Sequence, residues 1–298
     1  MEQSENNNFS DILSAFNVIN TSLAFSVYLP IAKRTVRFKQ LTTGQEKRIA
    51  KQLLVGDNDT IYTIMPEILQ ENCINEDFSV KEASIIDFFC IILQTRIYSI
   101  GNQITIRTLK QNSIDKNTED NIKSAIENIP TADVQNQNDE QGKKSTKKNE
   151  LIDIKLEVTK IYDAIVNATK DYSDIRVSLK DCPYQIVCGI PSVKTIQNTL
   201  DGVNDEDIIT RLAKFIKEIY LVNVKTGEEK LIKLVDFSAD QIKDVIEIIP
   251  NRLLVEASEK IIDFFKLLTT VQLYKFKVGG TEYKQTINFT SLNFFTSF

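Results

Sequence analysis

Apolar and polar positions alternate through "FSVYLPIAKRTVRF", residues 25–38. Phe25, Val27 and Leu29 share one face of a first run, and Val36 and Phe38 share one face of a second, with Pro30, Ala32 and Lys33 between them. A period of two interrupted by a proline predicts a β-hairpin. The period then lengthens. Residues 43–54 carry Thr43, Glu46 three positions on and Gly56 beyond the last apolar residue, the punctuation of a helix. Residues 60–72 predict a second short helix that Pro66 must bend or begin. In "SVKEASIIDFFCIILQTRIYSIG", residues 79–101, a Ser79–Glu82 capping box opens a helix that Gly101 stops. Its apolar residues cover most of the circumference, which predicts a buried central helix. "NQITIRTL" alternates again and predicts a strand.

Past residue 110 the pattern breaks. Between residues 131 and 150 only Ala132 and Val134 are apolar, beside four acids and four lysines. Such a stretch buries too little surface to offset its ordering entropy, which predicts a disordered linker or a protruding loop. Alternation resumes in "LIDIKLEVTKI", "SDIRVSLKD" and "YQIVCGIP", three predicted strands. In "DEDIITRLAKFIKEIYLV", residues 205–222, Ile208, Leu212, Phe215, Ile216 and Ile219 fall at helical spacing. Thr226-Gly227 marks a turn, Ser238–Gln241 a second capping box, and "ASEKIIDFFKLLTT" a further amphipathic helix. Two alternating runs around Gly279-Gly280 predict a last hairpin. The expected fold is therefore α+β: short antiparallel sheets and hairpins packed with amphipathic helices, in two halves of similar plan. The boundaries are a loose arm over 1–20, an α+β region over 21–110, the linker over 111–150 and a second α+β region over 151–298. The string "IIDFF" occurs in both halves, at 85–89 and 261–265.

Composition narrows the chemistry. Histidine is absent from all 298 residues, which removes His-dependent triads, imidazole acid–base work and His-ligated metals. Cys73, Cys90, Cys182 and Cys188 form no CxxC pair. Cys182 and Cys188 are close enough in sequence for a disulfide, but nothing points to an oxidising compartment. No phosphate loop, dinucleotide fingerprint, complete calcium loop or nucleophile elbow is present. Asp57-Asn58-Asp59 lacks the glycine and the late glutamate a calcium site needs. Carboxylates, tyrosines and lysines remain, with no pair singled out by spacing. The expectation is no catalytic residue, no cofactor, no metal and no enzyme.

A net charge of −5 provides no general attraction for nucleic acid or anionic lipid. Lys143, Lys144, Lys147 and Lys148 are offset by neighbouring acids and lack the aromatics of a nucleic-acid groove. The opening "MEQSENNNFSDIL" has no basic region leading into an apolar core, and Ile85–Leu93 is too short to span a bilayer. The expectation is a chain that stays inside its host cell.

The closing segment "INFTSLNFFTSF" gathers Leu292, Phe294, Phe295 and Phe298 within seven positions. These side chains either fold back onto the domain or anchor an interface, and both can hold in one molecule. Together with "VYLPIAKRTVRFKQLTTGQEKRIAKQLL" (27–54), "SVKEASIIDFFCIILQTRIYSIG" and the order of segments from "DCPYQIVCGIPSVKTI" to this end, it resembles the T4-like bacteriophage baseplate protein family. Where some members carry a cysteine pair, this chain has Val278-Gly279-Gly280-Thr281, so no metal-bound tip is implied.

The resemblance implies a protein that builds, or helps to build, the baseplate hub of a contractile tail by binding its neighbours. Leu292, Phe294, Phe295 and Phe298 would be its partner-binding residues. The partners implied are hub, tape-measure or spike components, with a second copy of the chain as a further option and no nucleic acid or membrane. The location implied is the host cytoplasm during assembly and then the tail baseplate. Two alternatives stay open: a transient assembly chaperone absent from the finished particle, and a host-takeover protein acting on nucleic acid through the lysines of 131–150.

Overall fold

The computed structural model describes residues 10–12, 14–16, 18–19, 23–54, 60–109, 151–180, 182–200, 214–223, 226–278, 281–286 and 294. Strands Phe25–Leu29 (β1) and Arg34–Phe38 (β2) pair antiparallel, with Phe25 opposite Phe38 and Val27 opposite Val36. The inward set named by the alternation, Phe25, Val27, Leu29, Val36 and Phe38, is buried throughout. The hairpin turn places Lys33 at φ 51°, a left-handed conformation that side chains rarely adopt.

Helix Thr43–Leu54 (α1) is capped one residue earlier than expected. Thr42 N donates to Gln45 Oε1 at 3.0 Å and Gln45 N to Thr42 Oγ1 at 3.3 Å. Helix Thr60–Asn72 (α2) runs through Pro66, which neither bends it into two elements nor begins it. Helix Ile85–Ser99 (α3) is the centre of the core, buried at every position from Ile85 to Arg96. It does not start at the expected Ser79–Glu82 box. Ile85 N donates to Pro191 O and Val193 N to Ala83 O, which holds residues 83–85 extended. The helix can begin only after that seam, and Ser84 caps it by accepting from Asp87 N at 3.0 Å. At its far end Gly101, at φ 136°, supplies the turn in which its amide and that of Ile100 both reach Arg96 O.

Strands Gln103–Leu109 (β3) and Leu151–Glu157 (β4) form a two-stranded sheet. The chain then passes without a break into helix Val158–Thr169 (α4), which the sequence pattern does not announce. Val158, Ile161, Ile165 and Thr169 form its buried face, and Asn102 accepts from both Val158 N and Thr159 N at its start.

Strands Ile175–Ser178 (β5), Tyr184–Cys188 (β6), Ile216–Val222 (β7) and Glu229–Lys233 (β8) make an antiparallel sheet in that order. Helix Val193–Leu200 (α5) lies between β6 and β7 in the chain. β7 corrects the helix expected over 205–222. Ile186 faces Ile219 and Val187 faces Glu218, but Cys188 faces Ile216, so β7 carries Lys217 as an extra residue. This bulge turns two inward residues of a strand into a spacing of three, which imitates a helix. The rest of that expected helix, 205–213, lies outside the described residues.

A short 3₁₀ turn, Leu234–Asp236, leads to helix Ala239–Ile248 (α6), whose Ser238–Gln241 capping box forms as read. Helix Asn251–Gln272 (α7) is followed by strands Leu273–Val278 (β9) and Thr281–Thr286 (β10), which pair. The fold is α+β. Glycines 279 and 280 and the expected linker over 111–150 lie outside the described residues.

The chain divides into two compact units. The larger comprises residues 1–104, 157–275 and 284–298, and its core gathers Phe38, Met65, Ile68, Leu69, Phe88, Phe89, Ile91 and Ile92. The smaller comprises residues 105–156 and 276–283, and holds most of β3 and β4 with the adjoining ends of β9 and β10.

Candidate functional site

A cleft of about 620 Å³ opens in the larger unit between the β1–β2 turn, the start of α3 and the loops around Tyr172 and Ile190. Its floor is Asp87, a carboxylate only 1% exposed in the apolar first half of α3. One carboxylate oxygen accepts from Ile31 N at 2.9 Å and the other from Ala32 N at 3.0 Å. Those donors belong to the turn that forces Lys33 into its left-handed conformation, so Asp87 clasps a strained turn fifty-six residues away in sequence. Burial pushes the Asp87 carboxyl up to about 6. The hydrogen bonds from Ile31, Ser84 and Ala32 and the charge of Lys217 pull the other way without cancelling it.

The opposite wall is a second polar knot. The Tyr172 hydroxyl donates to Asp174 Oδ1 at 2.5 Å and accepts from Ile190 N at 2.7 Å. Lys217 Nζ, on the bulge of β7, donates to Asp174 Oδ2 at 2.7 Å. Burial first, and the bond to Asp174 next, hold the Tyr172 phenol well above its ordinary range, so it remains a proton donor. The backbone at Gly189 passes beneath this knot. A Cβ there would stand 2.2 Å from Asp174 Oδ1, 2.7 Å from Lys217 Cδ and 2.8 Å from the Tyr172 oxygen. Any side chain at that crossing would push apart the bonded ends of Asp174, Lys217 and Tyr172. At the mouth, Arg34 donates to Asp77 at 2.8 Å while lying over the Phe78 ring.

Arg34, Asp87, Tyr172, Asp174 and Lys217 are thus each bound to another part of the same chain. The arrangement fastens the residue 31–33 turn, residues 172–174 and the end of β6 to one another. Burial raises the thiols of Cys90 and Cys188, the latter to about 12, so both are un-ionised near neutrality. All four cysteines are free, so Cys182 and Cys188 form no disulfide. Among the described residues, no three Cys, Asp or Glu side chains gather as a metal would need, and no helix is long and apolar enough to cross a membrane.

Of the four aromatic and aliphatic residues singled out near the end of the sequence, Phe294 is described and 3% exposed. The Arg96 guanidinium lies 5.7 Å from the centre of its ring. Arg96 is itself buried on α3 and donates to Gly101 O and, at 2.7 Å, to Gln103 O. Phe294 is therefore seated inside the chain's own larger unit. Leu292, Phe295 and Phe298 lie outside the described residues.

Sequence reasoning passed over Asp87, Tyr172, Asp174, Lys217 and Arg96. For Asp87 and Arg96 a signal existed: charges on a helix read as buried must find partners. Tyr172, Asp174 and Lys217 carry no such mark.

A family model described as T4 bacteriophage base plate protein matches residues 22–296. No curated protein and no solved structure matches the chain.

Proposed function

The chain belongs to the T4 bacteriophage base plate protein family, and from that premise we propose that it serves the central hub of a contractile tail by binding neighbouring proteins, not by catalysis. A structural or assembly role in the phage baseplate follows from the family itself. The narrower reading rests on one observation: the match runs from the first hairpin into the terminal aromatic segment, where Phe294 is seated beside Arg96 on the central helix. Leu292, Phe295 and Phe298, which flank Phe294 in the sequence, serve as the partner-binding residues in this proposal. Hub, tape-measure or spike components are the proposed partners, and the tail baseplate is the proposed location. The non-catalytic reading draws support from the cleft, where Asp87, Tyr172, Asp174 and Lys217 are occupied in holding loops together.

Truncating the segment would remove Phe294 with the rest and confuse folding with binding. The cleaner test replaces Leu292, Phe295 and Phe298 together by serine and leaves Phe294 in place. The expected variant melts within a few degrees of the parent and no longer co-purifies with hub proteins when expressed beside them. Undiminished co-purification would overturn the assignment of these residues.

A further inference from the structure

The four-stranded sheet ends in β8, whose outer side pairs with no strand among the described residues. Val222 N donates back to Pro183 O while Asn223 N donates to Glu228 O. Along an antiparallel ladder this alternation continues, so Glu228, Lys230 and Ile232 turn their main-chain groups toward β7. Glu229, Leu231 and Lys233 therefore turn theirs outward, where no strand follows among the described residues. All three are exposed, and Leu231 is 42% exposed, a large apolar side chain in the middle of a charged strand.

We propose that this edge pairs with the same edge of a second copy of the chain, antiparallel and centred on Leu231. In that register every outward donor and acceptor meets one of its own kind of position: Leu231 faces Leu231 of the other copy, and Glu229 faces its Lys233 on both sides of the two-fold axis. Three residue pairs exchanging two hydrogen bonds each give about six main-chain bonds across the seam. Lysines on an edge ordinarily repel further strands. Here their order makes the edge selective. Parallel in-register pairing sets each charge against its like. Sliding the antiparallel pair toward Glu229 sets Lys230 against Lys230, and sliding it toward Lys233 leaves both glutamates without a lysine. Of these arrangements, only the Leu231-centred register places opposite charges across from each other.

The outer face of the sheet suits this arrangement. Leu231 lies beside Tyr220 of β7, and Arg176 of β5 reaches across the Tyr220 ring, 4.1 Å from its centre, to Glu229 at 3.0 Å. Glu229 is thus held in place at the edge before any partner arrives. An edge of five residues is short against the roughly 20–30 residues a side of a standard interface, so the dimer dissociates on dilution.

Sedimentation of the full chain over a concentration series tests this, together with amide hydrogen exchange. The expected result is a monomer–dimer equilibrium in which the Leu231 and Lys233 amides gain protection as concentration rises. Leu231→Pro removes only an outward N–H, so the intramolecular ladder to β7 survives while the dimer is lost. Lys233→Glu and Glu229→Lys should each weaken dimerisation about tenfold, since two symmetric pairs turn repulsive at once. The double exchange Glu229→Lys with Lys233→Glu should bind more tightly than either single variant, though short of the parent because the Arg176–Glu229 pair is lost, a partial rescue that altered monomer stability cannot produce. A chain that stays monomeric up to its solubility limit overturns the proposal, as does a dimer indifferent to the charge exchanges. The serine variants at Leu292, Phe295 and Phe298 leave this equilibrium unchanged, so the two proposals fail separately.

Discussion

Asp87 shows how one buried side chain can set the pH response of a whole fold. Its carboxyl titrates at about 6 in the folded chain against 3.8 for an ordinary aspartate, because burial penalises the charge more than Ile31, Ala32 and Ser84 relieve it. Between those two values the folded state holds more proton than the unfolded one. Stability from this group is therefore present below about pH 4 and is lost as pH rises through 6. The full loss across that window amounts to about 3 kcal/mol. Asp87→Asn keeps an acceptor for one of the two turn amides and cannot ionise. At pH 4, where the parent's carboxyl is protonated, it should be about 1 kcal/mol less stable for the weakened clasp, and it should lack the loss that the parent shows as pH rises toward 7. Urea titrations at pH 4, 5, 6 and 7 check this. Parallel stability curves for parent and variant would mean that the carboxylate is better solvated than its 1% exposure implies.

Among the elements, the beginning of α3 offers a sharp comparison. Ser79 and Ser84 are both plausible caps in the sequence, and only Ser84 accepts from the first turn. Ser84→Ala should lower the midpoint of thermal unfolding by the equivalent of about 1 kcal/mol, and Ser79→Ala by almost nothing. Equal losses would place the helix start where the sequence pattern set it. This contrast also explains what was legible. The first hairpin, α1, α2, α6 and the β7–β8 turn follow from period, caps and glycine, because neighbours in sequence decide them. The start of α3 was not legible, since residues 191–193 hold it and lie more than a hundred positions away. β7 was misread because the bulge at Lys217 respaces Ile216 and Ile219. α4 was missed because no glycine, proline or side-chain cap separates it from β4. The cleft was least visible of all: Asp87, Tyr172 with Asp174, and Lys217 come from three separate stretches, and only folding reveals that they meet.

At the scale of the molecule, the chain belongs to a phage baseplate family, and we propose that it acts there through the surfaces it offers to its neighbours. Its larger unit is assembled from segments far apart in sequence. Main-chain bonds tie residues 81–85 to residues 191–194, Asn102 caps α4, and Tyr162 donates to Tyr28 O at 3.0 Å. These ties do not require that residues 109 and 151 be covalently connected. Made as separate polypeptides, 1–109 and 151–298 should find each other and co-elute as one folded particle, with association entropy setting a dilution limit absent from the intact chain. Independent elution of the halves would show that the connection is needed to bring them together. A tail component that survives division in this way could be reconstituted from two inactive pieces, making baseplate assembly something an experimenter can start by mixing.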